Sequence, residues 1–199
     1  LLDSFDLGTQ YIISQIDKTR FFIDDLKKCI DFSKNNNLDV IITPFDNFAL
    51  DEITTFEDDL VAYKIASCDL TNLPLLEEVI KRGKSLIAST GMSFEREIIQ
   101  TSEFLKKSWI NHAFLHCNST YPCPVEDVKL DYINRLKEIT NTVVGYSSHD
   151  GKVFIPQASI AYGAAILEFH ITKNQSLEGT DHLASIPVNY LTDFVSNVH

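Results

Sequence analysis

Short apolar runs and longer amphipathic stretches alternate along the chain. The apolar runs are LDVIITPF (38–45), LVAYKIAS (60–67), SLIAST (85–90), HAFLHC (112–117), TVVGYSS (142–148) and AAILEFHI (164–171). Several are continuously apolar rather than alternating, the pattern of parallel strands covered on both faces. Between them the spacing predicts helices. Residues 18–34 carry Phe21, Phe22, Leu26, Ile30 and Phe32 as one apolar stripe. Residues 73–82 follow Asn72, a suitable N-cap, with Pro74 in the first turn and Gly83 as a stop. Further helices are predicted over 94–107 after Ser93, 126–139 after the loop CNSTYPCPV, 153–162 before Gly163, and 188–197 after Pro187.

The six predicted strands start at 38, 60, 85, 112, 142 and 164, so 22 to 30 residues separate successive starts. Alternating βα units mean a parallel sheet, either open and doubly wound or closed as a (β/α)₈ TIM barrel. Polar residues sit at the carboxyl end of nearly every strand: Thr43, Lys64 with Ser67, Ser89, His116, Ser147 with His149, and His170. An open sheet concentrates its site at one switch point, whereas a barrel gathers loops from all strands into one mouth. The even distribution favours the barrel. Six units are two short of eight, however, and the first predicted element is a helix, so the front of the barrel is expected to be absent from this chain. The segment KNQSLEGTDHLASIP (173–187) reads as a long polar loop after the last strand, and loops of that length are often functional.

Composition narrows the reading. A 44% hydrophobic and 23% charged chain of 199 residues suits one domain with a substantial core. No stretch approaches the roughly 20 apolar residues that span a bilayer, and the start LLDSFDLGTQ has no basic region or cleavage signal. A soluble, cytoplasmic protein with no membrane partner is therefore expected. The net charge of -11 argues against a nucleic-acid surface but not against a small anion, which a few lysines and backbone amides can hold locally. No GxGxxG and no GxxxxGK[ST] occurs, so nothing supports a dinucleotide site or a P-loop. Cys29, Cys68, Cys117 and Cys123 form no CxxC pair. Cys117 and Cys123 flank a proline-containing loop and can in principle bridge, although reduced thiols are the ordinary reading.

Two residue patterns carry chemistry. His149 and His170 end adjacent strands, which lie about 4.8 Å apart, so both imidazoles can reach one ion. Asp181 in the following loop can complete the shell directly or through water. Two imidazoles, one carboxylate and open positions suit a borderline divalent ion that must also bind substrate. The bland alternative is that each histidine merely bonds a backbone carbonyl. Lys64 sits inside an apolar strand, where a charge is expensive unless paired. It either reaches an anion at the mouth or pairs with an acidic neighbour such as Asp69. Thr43, Ser67, Ser89 and Ser147 are individually ordinary capping hydroxyls, but together they ring the lysine with donors.

The runs ITPFD (42–46), YKIASCDLTNLPLL (63–76), STGMS (89–93), LHCNSTYPCPVEDVKL (115–130), VGYSSHD (144–150) and EFHITKNQSLEGTDHLAS (168–185) resemble the sialic acid (N-acetylneuraminate) synthase family. The blocks keep the family's order and spacing from about residue 20 to 195. The resemblance implies a (β/α)₈ barrel, here about six βα units, that condenses phosphoenolpyruvate with an N-acetylated aldose to a nonulosonic acid. It implies Mn²⁺, or Mg²⁺ or Co²⁺, held by His149 and His170, with Asp181 near the metal-bound water and the sugar. Thr43, Lys64, Ser67, Ser89 and Ser147 would hold phosphoenolpyruvate, with Lys64 and Asp181 as the catalytic pair; Asp69, Ser119 and Tyr121 would face the sugar. His112 and His116 have no such role by the pattern and read as structural.

The chain also departs from the family. Its IGxNHxG-like and KFQ-like blocks, which carry a glutamate and a lysine, do not occur here, nor does the C-terminal antifreeze-like domain through which members pair as homodimers. SSHD stands for SDHT, EFHIT for EKHFT and EGTD for PGPD, while Asp69 replaces a common glutamate and Ser119 an asparagine. These changes bear on which sugar is taken more than on the reaction class. Three rivals stand beside this reading: a related phosphoenolpyruvate–aldose synthase making shorter keto acids, a non-catalytic barrel binding a sugar or a partner, and an unrelated metal-dependent isomerase or aldolase. The YPxPxEDV and SxHD…EFH blocks speak against the first.

Overall fold

Six parallel strands in sequence order carry the molecule. In the computed structural model they are β1 (Val40–Ile42), β2 (Leu60–Ile65), β3 (Ser85–Ser89), β4 (His112–Cys117), β5 (Val143–Ser148) and β6 (Leu167–Phe169). The sheet runs β1-β2-β3-β4-β5-β6 without a switch point and curls as a half-barrel, so the doubly wound alternative is set aside. The structure describes residues 9–10, 13–14, 17–18 and 20–198. The reading that LLDSFDLGTQ lacks a targeting signal falls on residues 1–10, of which 1–8 lie outside the described residues. The chain divides into two compact units, Leu1–Val40 and Ile41–His199.

In the first unit the predicted helix over 18–34 is α1, Ile23–Asn35. Phe22 precedes it in extended conformation, and Phe21, Phe22 and Phe32 are exposed while Ile30 is buried, so the expected five-residue stripe is not formed.

In the second unit each strand after β1 is followed by the helix its sequence predicts. The helices are α2 (Asn47–Glu52), α3 (Leu73–Lys81), α4 (Glu95–Lys107), α5 (Tyr132–Thr140), α6 (Phe154–Ala161) and α7 (Leu191–Val198). Asp46 caps α2 by accepting from Ala49 N at 2.7 Å, and Asn72 caps α3 as expected. Gly83 stops α3 in a left-handed conformation, φ +71°, which costs glycine little. α5 begins six residues later than the predicted 126, because Val125–Asp127 turns as a 3₁₀ helix and Lys129 takes a positive φ of 31°. The loop over 173–187 ends in a short strand, β8 (Ile186–Pro187), paired with β7 (Ile171–Thr172).

Period-2 alternation sorts the strand residues onto two faces. Tyr63, Ile65, Leu86, Ala88, Phe114, Val144 and Tyr146 point outward and are buried with Leu76 and Val79 of α3, Ile98 and Leu105 of α4, and Ile133 and Leu136 of α5. The inner face carries Ile41, Thr43, Lys64, Ile87, Leu115, Ile166 and Glu168, which line a cavity of about 340 Å³. Gly145 keeps that face passable: a Cβ there would lie 2.3 Å from the Ile166 carbonyl oxygen and 2.6 Å from Leu115 Cδ2. All four cysteines are unbridged, including the buried pair Cys117 and Cys123. Among the described residues no helix is long and apolar enough to cross a membrane.

Candidate functional site

The carboxyl ends of these strands converge on a cavity of about 360 Å³. Its wall takes Thr43 from beyond β1, Lys64 and Ser67 from β2 and its end, Ser89 from β3, Ser147 and His149 from β5 and its end, and Glu168 and His170 from β6 and its end. Tyr121, from the loop after β4, completes it with Phe45 and Phe169. Strand register explains the convergence, since Cys117, Ser147 and Glu168 are successive Cα partners across β4, β5 and β6.

Lys64 is buried and donates to Ser89 Oγ at 2.7 Å, with the Ile65 carbonyl at 3.3 Å. Its charged neighbour is Glu168 Oε1 at 3.4 Å, not Asp69 as one reading of the sequence expected. Glu168 Oε1 also accepts from Ser147 Oγ at 2.7 Å. Asp69 instead accepts from Asn72 Nδ2 at 3.0 Å and ties its own turn.

His149 is held in one tautomer. Its Nδ1 lies 2.6 Å from the Asn118 carbonyl, which can only accept, so Nδ1 carries the proton and Nε2 the lone pair. Tyr121 Oη donates to that Nε2 at 3.1 Å, and the two rings stack with centroids 4.1 Å apart. Ser147 Oγ approaches Nε2 at 3.3 Å while giving its proton to Glu168. Burial lowers the His149 pKa, opposed by the Asn118 bond, and so favours the neutral ring. Burial, with Cys117, Asp181, Glu168 and Cys68 nearby, pushes the Tyr121 phenol up to about 12, so it remains a donor.

His170 faces His149 with ring centroids 5.5 Å apart and Tyr121 edge-on at 5.8 Å. A neutral imidazole whose Nδ1 proton is fixed on a carbonyl presents Nε2 in the form a divalent metal takes. A second imidazole stands beside it, so the donor chemistry of the pair fits a borderline ion. Among the described residues no group of three or more His, Cys, Asp or Glu is placed to hold one, so further positions would fall to water or substrate.

Three expected residues do not line the cavity. Asp181 is exposed in the loop after β7, where its carbonyl accepts from Ala184 N at 3.0 Å and Ser185 Oγ at 2.7 Å. That loop is pinned by Gln175 Nε2, which donates to the Ser185 carbonyl at 2.8 Å and the Gly151 carbonyl at 3.2 Å. Ser119 packs against Gly91, where a Cβ would meet its Oγ at 2.6 Å. Asp69 is the third. Glu168 was not singled out from the sequence, although it precedes His170 by two residues and so shares its face of the strand. His116 and His112 point away from the cavity, and each leaves Nε2 without a hydrogen-bond partner among the described residues.

The second unit thus carries an α/β half-barrel of parallel strands whose mouth joins a lysine, a carboxylate, hydroxyls and two imidazoles. The chain matches the NeuB family over residues 4–199 and belongs to that family. It is 34% identical over 177 residues to N,N'-diacetyllegionaminic acid synthase of Campylobacter jejuni, covering 87% of this chain and 52% of that protein. An uncharacterized protein of Methanocaldococcus jannaschii is 42% identical over 159 residues, 79% of this chain and 47% of that one. Among solved structures, N-acetylneuraminic acid (sialic acid) synthetase from Leptospira borgpetersenii, in complex with citrate, superposes with a TM-score of 0.89 at 29% identity. That match covers 96% of this chain and 67% of the synthetase. The chain spans about half the length of the curated relatives it matches.

Proposed function

We propose that this chain is the larger part of a (β/α)₈ catalytic barrel that joins phosphoenolpyruvate to an N-acetylated aldose, giving a nonulosonic acid and phosphate. One observation carries the reading: a buried lysine, strand-end hydroxyls and two imidazoles meet in one cavity on rigid strand ends. The NeuB-family relatives, named as synthases of nonulosonic acids, point the same way. Four unbridged cysteines fit a reducing, cytoplasmic setting.

Lys64, Ser67, Ser89, Thr43 and Ser147 would bind the phosphate and carboxylate of phosphoenolpyruvate, replacing its hydration shell with fixed donors. His149 and His170 would hold Mn²⁺ or a similar divalent ion, which when bound acts as a Lewis acid toward the sugar aldehyde. Tyr121, with Asp69, Ser119 and Asp181 from the surrounding loops, would orient the sugar. With both reactants held, the enol carbon attacks the aldehyde carbon. Water then adds at the former enol carbon, and phosphate leaves with cleavage of its C–O bond. N-acetylmannosamine, its 6-phosphate and diacetamido sugars leading to legionaminic or pseudaminic acid are the candidate acceptors.

Incubating the chain with phosphoenolpyruvate, Mn²⁺ and a panel of N-acetylated aldoses should release phosphate and yield a nonulosonic acid seen by mass spectrometry. His149→Ala should lower that rate by about 100-fold or more. Phosphate release that is unchanged in His149→Ala would refute the assignment of the ion to this pair.

A further inference from the structure

The proposed anion site contains an anion of its own. Among the described residues of its wall, Lys64 is the one ammonium and Glu168 the one carboxylate. Glu168 Oε1 lies 3.4 Å from Lys64 Nζ and accepts from Ser147 Oγ at 2.7 Å. Among the described residues the other groups that Lys64 bonds are neutral, Ser89 Oγ at 2.7 Å and the Ile65 carbonyl at 3.3 Å. The arrangement is set by register, because Ser147 and Glu168 are Cα partners across β5 and β6. A buried ammonium without a counter-charge is costly, and Glu168 relieves that cost in the empty cavity. The same carboxylate repels any anion that uses Lys64 and Ser147. The two partners also differ in freedom: the Lys64 side chain is 10% exposed and the Glu168 side chain 40%. The glutamate therefore has solvent to move into, and the lysine does not.

Resting on the function proposed above, we propose that Glu168 is a built-in stand-in for the substrate anion. It is a positioning residue. In the empty site its carboxylate holds Lys64 and Ser147 where the ligand will need them, and phosphoenolpyruvate must displace it from Lys64 to bind. Glu168 thereby keeps the site pre-arranged while lowering its affinity for anions, which also favours release of phosphate.

The test is direct binding of phosphoenolpyruvate, and of inorganic phosphate, to the metal-free chain by calorimetry at low ionic strength. Glu168→Gln keeps shape and the contact with Ser147 but removes the charge. It should bind phosphoenolpyruvate about tenfold more tightly than wild type, a difference of about 1.4 kcal/mol. Glu138→Gln, the same charge change on the exposed face of α5, should leave affinity unchanged. Glu168→Asp, which keeps the charge, should stay within about threefold of wild type. Loss of a merely structural contact would weaken binding, so tightening separates the two roles. Equal or weaker binding by Glu168→Gln, or equal tightening in Glu168→Asp, overturns the proposal while leaving the proposed function standing. No binding of either anion by wild type and Glu168→Gln alike overturns both.

Discussion

At the scale of single residues, the environment decides what each histidine can do. His149 and His116 both end up neutral, but by different routes and to different ends. His149 has its Nδ1 proton fixed on the Asn118 carbonyl and its lone pair turned toward Tyr121 in the cavity wall. His116 is buried on the opposite face beside Tyr132 and Tyr146, and burial holds its pKa down to about 4. Because the folded-state pKa lies below the unfolded value of about 6.5, the unfolded chain binds more protons between those two values. Stability should thus rise with pH from about 4 to 6.5, with His116 contributing about 3 kcal/mol across the window. Urea unfolding at pH 4.5 and pH 7 should show this difference, and His116→Phe should shrink it. An equal pH dependence in the variant would contradict the assignment.

At the scale of elements, strand ends were legible in the sequence and loop conformations were not. Apolar runs located all six strands, since a strand covered by helices on its outer face and facing the barrel interior on the other carries mostly apolar residues. The period-2 rule then places Lys64, Ser147 and Glu168 on the inner face. Glu168 is not marked by the sequence pattern, because its run, AAILEFHI, reads as a hydrophobic block in which one glutamate looks incidental. The predicted start of α5 at 126 differs from the observed 132 because Val125–Asp127 closes as a separate 3₁₀ turn and the positive φ at Lys129 interrupts an α-helix there. Asp181, Ser119 and Asp69 lie in turns whose hydrogen bonds are to their own backbone and neighbours, which spacing alone does not encode. Within β5, Gly145 admits no side chain against the Ile166 carbonyl and Leu115. Gly145→Ala should therefore cost about 1–3 kcal/mol, read as a shift in the urea midpoint. A neutral result would mean that β5 and β6 separate there at little cost.

At the scale of the whole molecule, the outer face of the sheet supports the mouth. Phe114 is fully buried on that face of β4, the strand whose next residues lead into the Tyr121 loop. Phe114→Ala should cost about 3–5 kcal/mol, a large share of the stability of an ordinary domain. Thermal unfolding should register the loss. A variant as stable as wild type would place the core elsewhere. The sequence by itself determined the order of βα units and the family, because these depend on side-chain periodicity and on contiguous motifs. Only the tertiary structure decided that Lys64 pairs with Glu168 rather than Asp69, and which nitrogen of His149 faces the cavity. Those outcomes depend on register between strands about 20 to 100 residues apart in sequence and on one backbone carbonyl, Asn118, that no residue type reveals.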